Sequence, residues 1–197
     1  SKDCAYEGPY RKAIAGVPIS MEGKSAACAH LSHVGNISQS VCDCWSNESV
    51  QNVQMLSGRA PVVSLEQLVY DCRLMNTAAS SPEGATRLRD WLSDSDASLS
   101  PQAFVLRPDV VLRISEAIVN ESSPYRQTKA AVLAALNEIE TAREQERVAI
   151  VAREVPWIDM LREQAEMLPD DEQQLIDRML PMIDEGRFSP QEYEIDA

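Results

Sequence analysis

A repeated helix-start signal constrains the fold of this chain more than any other feature. Ser is followed directly by Pro four times. A Ser side chain can accept a hydrogen bond from an unpaired amide of the first helical turn, and Pro at the first position lacks an N–H that would have no partner there. The pairs are Ser81-Pro82, Ser100-Pro101, Ser123-Pro124 and Ser189-Pro190. We therefore predict a helix after each pair and a mainly α-helical chain.

Further helices are predicted where other signals enclose an apolar stripe. Ser64 and Asp170 are each followed three residues later by Gln, which is the pattern of a capping box. The helix from Asp170 should end at Gly186, and the helix from Pro124 should extend roughly to Arg153. Nearly all of the chain beyond its first third is therefore expected to be helical.

One short strand is predicted near the beginning of the chain. A helix over 6–15 should end at Gly16, and the apolar run over 17–23 is the one convincing strand. Residues 24–36 are small and polar, as in a long functional loop. A lone buried strand leaves its backbone groups without partners, so its neighbours should lie outside this sequence. Helix, strand, loop and helix is the order at the end of a (β/α)8 TIM barrel, whose sites lie on the loops after the strands.

Charge divides the chain into two predicted regions. The net charge is −13, but residues 1–79 carry 6 Lys or Arg against 7 Asp or Glu, while residues 80–197 carry 12 against 24. All the Cys and His residues lie in the first region. We predict the C-terminal end of an α/β barrel over 1–79, with about one strand left, and an acidic helical C-terminal region over 80–197 that is a solvated appendage.

The composition excludes several classes of function. Phosphates would be repelled by the net negative charge, and no basic patch offsets it. No apolar run approaches the roughly 20 residues that cross a bilayer, and no export signal is visible. We expect a cytoplasmic protein with reduced cysteines and with neither a nucleic-acid nor a membrane partner.

The five cysteines do not have the spacing of a self-contained zinc site. There is no Cys-x2-Cys pair, and Cys42 and Cys44 would lie on opposite sides of a helix. Those two, with Cys28 and Cys72, are interpreted as core residues. Cys4 differs because it precedes the helix over 6–15, in a polar loop beside Lys2, where positive charge and a helix N-terminus would stabilise a thiolate.

Three other residues could face a site. His30 and His33 follow the strand, although a surface role explains them as well. Glu22 ends the strand and could orient a ligand or transfer a proton, or it could simply pair with Lys24.

Several short motifs occur in an order and spacing that resemble a known family. They are Lys2-Asp3-Cys4, Met21-Glu22-Gly23-Lys24, Cys28-Ala29-His30, Gly35-Asn36 and Cys42-Asp43-Cys44-Trp45. Together they resemble the catalytic subunit of methanol:corrinoid protein methyltransferases. The resemblance is specific over about residues 1–79 and weak beyond them.

This resemblance implies a zinc-dependent barrel that binds methanol and passes its methyl group to cob(I)amide on a separate corrinoid protein. In the family, one glutamate and two cysteines hold the zinc, and the last cysteine corresponds to Cys4. The other two ligands would precede Ser1, so the chain is expected to be the C-terminal portion of a larger enzyme. Alone it should bind zinc weakly and be inactive; intact, it should form a homo-oligomer or a complex. Candidates for orienting the ligands, by loop position, are Asp3, Glu22, Lys24, His30, Asn36 and Asp43.

Two other hypotheses stay open on the sequence. The chain could be a non-catalytic helical interaction module that docks a corrinoid protein or a dimer partner through apolar faces. It could also be a self-contained zinc-binding domain, in which Cys28, Cys42 and Cys44 would be ligands.

Overall fold

The fold was obtained as a computed structural model, which describes residues 2–17, 35–37, 70, 73–184, 186–193 and 195, without the side chains of 2–6. The α-helices are α1 (Lys2–Ala15), α2 (Gly84–Ala97), α3 (Pro101–Phe104), α4 (Pro108–Val119), α5 (Pro124–Glu144), α6 (Val155–Glu166) and α7 (Glu172–Met179). Short 3-10 helices cover Leu180–Met182 and Pro190–Tyr193, and residues 35–37 and 73–79 are also helical. These ranges contain no strand, and the predicted mainly α chain is confirmed. The strand over 17–23, apart from Val17, and the helix start at Ser64 lie outside the described residues.

Helix α1 ends as predicted but begins earlier. The Gly16 amide donates to the Lys12 carbonyl over 3.0 Å, and Gly16 has φ = 61°, the left-handed conformation that favours glycine. The start predicted at residue 6 is wrong, because the helix already includes residues 2–5. Gly8 and Pro9, which would weaken an isolated helix, are both buried. Tertiary packing therefore maintains α1 where local preference disfavours it.

Two of the four Ser-Pro starts are confirmed in full. Ser100 Oγ accepts from the Ala103 amide over 3.2 Å at the start of α3, and Ser123 Oγ accepts from the Arg126 amide over 3.3 Å at the start of α5. The Ser189-Pro190 pair precedes a 3-10 helix. These starts were predictable because the signal lies within the four residues that form each turn.

The start predicted at Ser81-Pro82 is wrong, because α2 begins two residues later at Gly84. The Ser81 hydroxyl donates to the Ala78 carbonyl over 3.1 Å, so it closes the preceding helical segment. Glu83 then adopts φ = 60°, which places a left-handed residue between the two helices. At Gly84 an added Cβ would overlap the Ala78 carbonyl oxygen and the Ser81 hydroxyl, so this close approach requires glycine.

We expect Gly84→Ala to destabilise the protein by about 1–3 kcal/mol, because the new methyl group collides with backbone that cannot move independently. Urea unfolding followed by circular dichroism measures the change. Gly35→Ala is the matched control, since its Cβ meets no described atom within 4 Å. Equal stability of Gly84→Ala and the unsubstituted protein would show that this close approach is not retained in solution.

The core lies around α4, which packs against α1 on one side and α5 on the other. Its buried cluster consists of Phe104, Val110, Ile114, Ala142 and Val148. A second cluster joins Ile37 to Ala103 and Leu106, and Tyr10 packs against both clusters. Residues on either side of the boundary predicted at 79/80 thus contribute to the same core.

The N-terminal part of α5 holds the segment between α6 and α7. Tyr125 Oη, Arg126 Nε and Lys129 Nζ donate to the carbonyls of Pro169, Asp170 and Leu168 at 2.7, 3.0 and 2.7 Å, respectively. Lys129 also hydrogen-bonds the Asp170 carboxylate over 2.8 Å and lowers its pKa.

The capping role and the helix bounds predicted around this segment are wrong. The Asp170 carboxylate is used in the Lys129 pair, and Asp171 precedes α7 instead. Helix α7 ends at Met179 and a 3-10 turn containing Pro181 follows, so the end predicted at Gly186 is not observed. Helix α5 ends at Glu144 rather than near residue 153.

Candidate functional site

Cys4 lies in α1, whose described residues begin at Lys2. The predicted position of Cys4 in a loop before a helix is therefore wrong. A cysteine sulfur is a soft ligand of the kind that zinc binds, and a helix is a rigid element to carry it.

The tyrosine in the middle of α1 joins that helix to the core. Tyr10 Oη donates to the Val105 carbonyl over 2.6 Å. Burial, and secondly the charge of Glu138, raise the pKa of Tyr10 to about 12. Sequence reasoning missed this residue, since nothing in its local pattern marks a partner 95 residues away. The bond fixes α1, and with it the turn that carries Cys4, against the segment that follows α3.

We expect the Tyr10→Phe variant to lose about 1 kcal/mol of stability at neutral pH, since the Val105 carbonyl loses its donor. The pKa is 10.0 for an ordinary tyrosine and about 12 for native Tyr10, so the unfolded chain releases this proton first. The contribution of Tyr10 to the free energy of unfolding is fully present below pH 10 and is lost as the pH rises through 12. Thermal unfolding from pH 9 to about 12 should show a shallower decline for Tyr10→Phe. Parallel curves for the two proteins would contradict this role.

An alternating series of charges connects three helices beside Tyr10. It consists of Asp94, Arg107, Asp109, Arg113 and Glu138, with successive contacts of 2.9, 2.9, 3.3 and 2.7 Å. The Arg113–Glu138 contact is bidentate, since a second hydrogen bond spans 2.8 Å. Burial alone would raise the pKa of Asp109, but the hydrogen bonds and charges of Arg107 and Arg113 lower it. Each arginine is paired with two carboxylates, which is typical of a structural network rather than of proton transfer.

Among the residues proposed to orient ligands, Asn36 has described contacts. Its amide N–H donates to Asp96 Oδ2 over 2.7 Å, and its side-chain Nδ2 donates to Ser95 Oγ over 2.8 Å. The next amide, that of Ile37, donates to the same carboxylate oxygen over 3.0 Å. Asn36 is thus held from two sides by the end of α2. Sequence reasoning missed Asp96, because 60 residues separate it from Asn36.

The remaining candidates stay predictions. Asp3 lies in α1 with its side chain outside the description, and Glu22, Lys24, His30 and Asp43 lie outside the described residues altogether. Within the described ranges, no three His, Cys, Asp or Glu side chains converge in a way that could hold a metal ion. Of the predicted site residues, the structure therefore describes the backbone position of Cys4 and the contacts of Asn36.

Comparison with known proteins identifies the family. Residues 1–194 match the family described as methanol-cobalamin methyltransferase B subunit. A methanol–corrinoid protein co-methyltransferase of Methanosarcina barkeri is 37% identical over 180 residues, which are 91% of this chain and 39% of the relative. The crystal structure of the methanol:cobalamin methyltransferase complex MtaBC from the same organism superimposes with a TM-score of 0.80 and 34% identity, and covers 98% of this chain and 42% of the matched one.

The chain therefore belongs to the methanol-cobalamin methyltransferase B subunit family. It spans about two fifths of the length of the relative from Methanosarcina barkeri, where it matches the C-terminal portion. The resemblance noted from the motifs within 1–79 is confirmed, and the match extends through the acidic helices, where the motifs alone were weak.

Among the helices of the described ranges, none combines the length and apolarity that a membrane crossing requires.

Proposed function

We propose that this chain is the C-terminal portion of a zinc-dependent methyltransferase that moves the methyl group of methanol to cob(I)amide on a corrinoid protein. The observation that carries the proposal is the family match over residues 1–194, which includes the segment with Cys4. The structural likeness over 98% of the chain supports it. The same match favours this function over a non-catalytic interaction module.

In this proposal Cys4 is the one zinc ligand that the chain supplies, while a glutamate and a second cysteine come from the part of the enzyme outside it. Zinc would supply a Lewis acid for the methanol oxygen, because hydroxide is a poor leaving group. The residues of this chain fit that ion through the soft sulfur of Cys4, which α1 carries.

Other residues of the chain position this ligand. Gly8 and Pro9 are buried and Tyr10 is bonded to the Val105 carbonyl, so α1 is fixed one to two turns beyond Cys4. A ligand on a supported helix keeps its geometry when the substrate binds. Asp3, Glu22, Lys24, His30, Asn36 and Asp43 remain the candidates for orienting the ligands and substrate.

The proposed partner is a corrinoid protein in the cytoplasm, and the intact enzyme would act within a hetero-complex or a homo-oligomer. The relative in the solved structure is named as part of a methanol:cobalamin methyltransferase complex. Barrel sites lie at the ends of the strands, so the partner would approach the face on which the proposed zinc ligands meet. The 197-residue chain alone, which would supply one zinc ligand, is expected to bind zinc weakly and to be inactive.

Transfer of a labelled methyl group tests this function. The full-length subunit containing this chain is incubated anaerobically with zinc, cob(I)alamin and [13C]methanol. Carbon NMR should then show a 13C-methyl group bonded to cobalt. The control omits the subunit and keeps every other component. Absence of labelled methylcobalamin from a folded, zinc-loaded subunit would contradict the proposed reaction.

A further inference from the structure

The carboxylate of Asp96 is buried at the end of α2, where it does not favour its own helix. Asp96 is the penultimate residue of α2 and only 5% exposed. The C-terminus of a helix carries partial negative charge, so a carboxylate in the last turn is unfavourable there. Removing a carboxylate from water adds a further cost unless hydrogen bonds replace the lost hydration. The stability of α2 therefore does not account for this residue.

The hydrogen bonds that replace the lost hydration of the Asp96 carboxylate come mainly from a different part of the chain. One oxygen, Oδ2, accepts from the successive amides of Asn36 and Ile37 at 2.7 and 3.0 Å. The other, Oδ1, lies 3.2 Å from the Ser95 hydroxyl, which donates to the Leu92 carbonyl at 2.8 Å and accepts from Asn36 Nδ2 at 2.8 Å. Two backbone donors and one side-chain amide of the 35–37 turn are thus held by two adjacent residues of α2. Hydrogen bonds to a carboxylate are stronger than those between neutral groups.

The turn is anchored on its apolar side as well. Ile37 is 2% exposed and packs with Ala103 and Leu106 of the segment around α3. Tyr10 of α1 packs against the same cluster. The helix that carries Cys4 and the turn that carries Asn36 are therefore joined through one set of contacts, which the acidic region over 80–197 supplies.

We propose that Asp96 is a positioning residue for methyl transfer, because its carboxylate fixes the 35–37 turn and, with Ser95, sets the orientation of the Asn36 amide. This rests on the proposed function, since Asn36 has a task only if the chain contributes to that site. It assigns a role to the acidic helical region, whose Ser95 and Asp96 hold the segment that carries Asn36.

Asp96→Asn in the full-length subunit tests the proposal, with Asp94→Asn as the matched control. Both variants change a carboxylate to an amide on α2, but Asp94 is exposed and contacts Arg107. For Asp96→Asn we expect amide exchange at Asn36 and Ile37 to accelerate at least about tenfold, while exchange at the core amide of Val111 stays unchanged. Asp94→Asn should leave exchange at all three amides unchanged.

Methyl transfer supplies the second measurement. Loss of an outer-shell partner typically lowers activity about 10- to 100-fold, so kcat per bound zinc should fall about tenfold in Asp96→Asn. The methanol KM should change less than about threefold, because a group that orients the reacting centre acts mainly on kcat. Ser95→Ala should lower kcat less and leave exchange at Ile37 unchanged.

Three results would overturn the proposal. The first is unchanged exchange at Asn36 and Ile37. The second is equal acceleration at Val111, which would indicate global destabilisation. The third is faster local exchange with full kcat per bound zinc. Failure of the unsubstituted enzyme to transfer methyl groups would instead count against the proposed function, and the exchange measurement would still decide whether Asp96 holds the turn.

Discussion

Replacement of Cys4 by Ala in the full-length subunit is expected to remove most of its zinc and to lower methyl transfer more than about 100-fold, since even loss of an outer-shell partner costs 10- to 100-fold. Cys4 is the one zinc ligand that the chain is proposed to supply, and alanine offers the ion no donor atom. Metal analysis by mass spectrometry after dialysis gives the zinc content. The change in the cobalamin spectrum with time gives the rate of methyl transfer.

Cys72→Ala is the matched control for this substitution. It removes the same thiol from a residue whose sequence pattern indicates a core position, so bound zinc should stay near one per subunit. Full zinc content and full activity in Cys4→Ala would remove Cys4 from the mechanism. Loss of zinc from the Cys72 variant, with retention in the Cys4 variant, would place the metal elsewhere in the chain.

Phe104→Ala should cause the largest loss of stability among single core substitutions, about 3–5 kcal/mol. The ring is 1% exposed and belongs to the cluster with Val110 and Ile114. The Arg147 guanidinium lies 5.4 Å from its centroid, so a cation–π contact is lost as well. Helix α3 is only one turn long, so its own backbone hydrogen bonds add little that could offset the loss of this ring.

Urea unfolding of the protein measures this loss. Leu112→Ala is the control on the adjacent helix, because Leu112 is 61% exposed and its truncation should change the free energy of unfolding by less than about 0.5 kcal/mol. Phe104→Leu retains most of the side-chain volume, so its loss of stability should lie between the losses of Phe104→Ala and Leu112→Ala. A Phe104→Ala cost similar to that of Leu112→Ala would contradict the placement of the core around α4.

Short-range signals predicted part of this fold correctly. Ser100 and Ser123 cap helices as expected, and Gly16 ends α1, because each signal and its partner lie within one turn. Ser81 carries the same motif, yet its hydroxyl bonds the Ala78 carbonyl, because Gly84 packs too closely for a helix to begin at Pro82. The difference is set by contacts between two helices, which a four-residue pattern cannot contain.

The site was predictable to a smaller extent. Cys4 was set apart from the other cysteines by its position beside Lys2, but its proposal as a zinc ligand came from the resemblance of several motifs. Asn36 was a candidate by loop position, but its partner Asp96 could not be found, because the contact spans 60 residues and joins regions of different charge. Tyr10 was missed for the same reason. In each case the sequence around the residue contains no sign of its distant partner.

X-ray absorption at the zinc edge of the full-length subunit tests most directly whether this chain supplies a sulfur ligand to the zinc. If Cys4 is a zinc ligand, the unsubstituted enzyme should have two sulfur neighbours at about 2.3 Å. The Cys4→Asp variant should have one, because its carboxylate retains the ion through oxygen. An unchanged count of two sulfur neighbours in Cys4→Asp would contradict the assignment of Cys4 as a ligand.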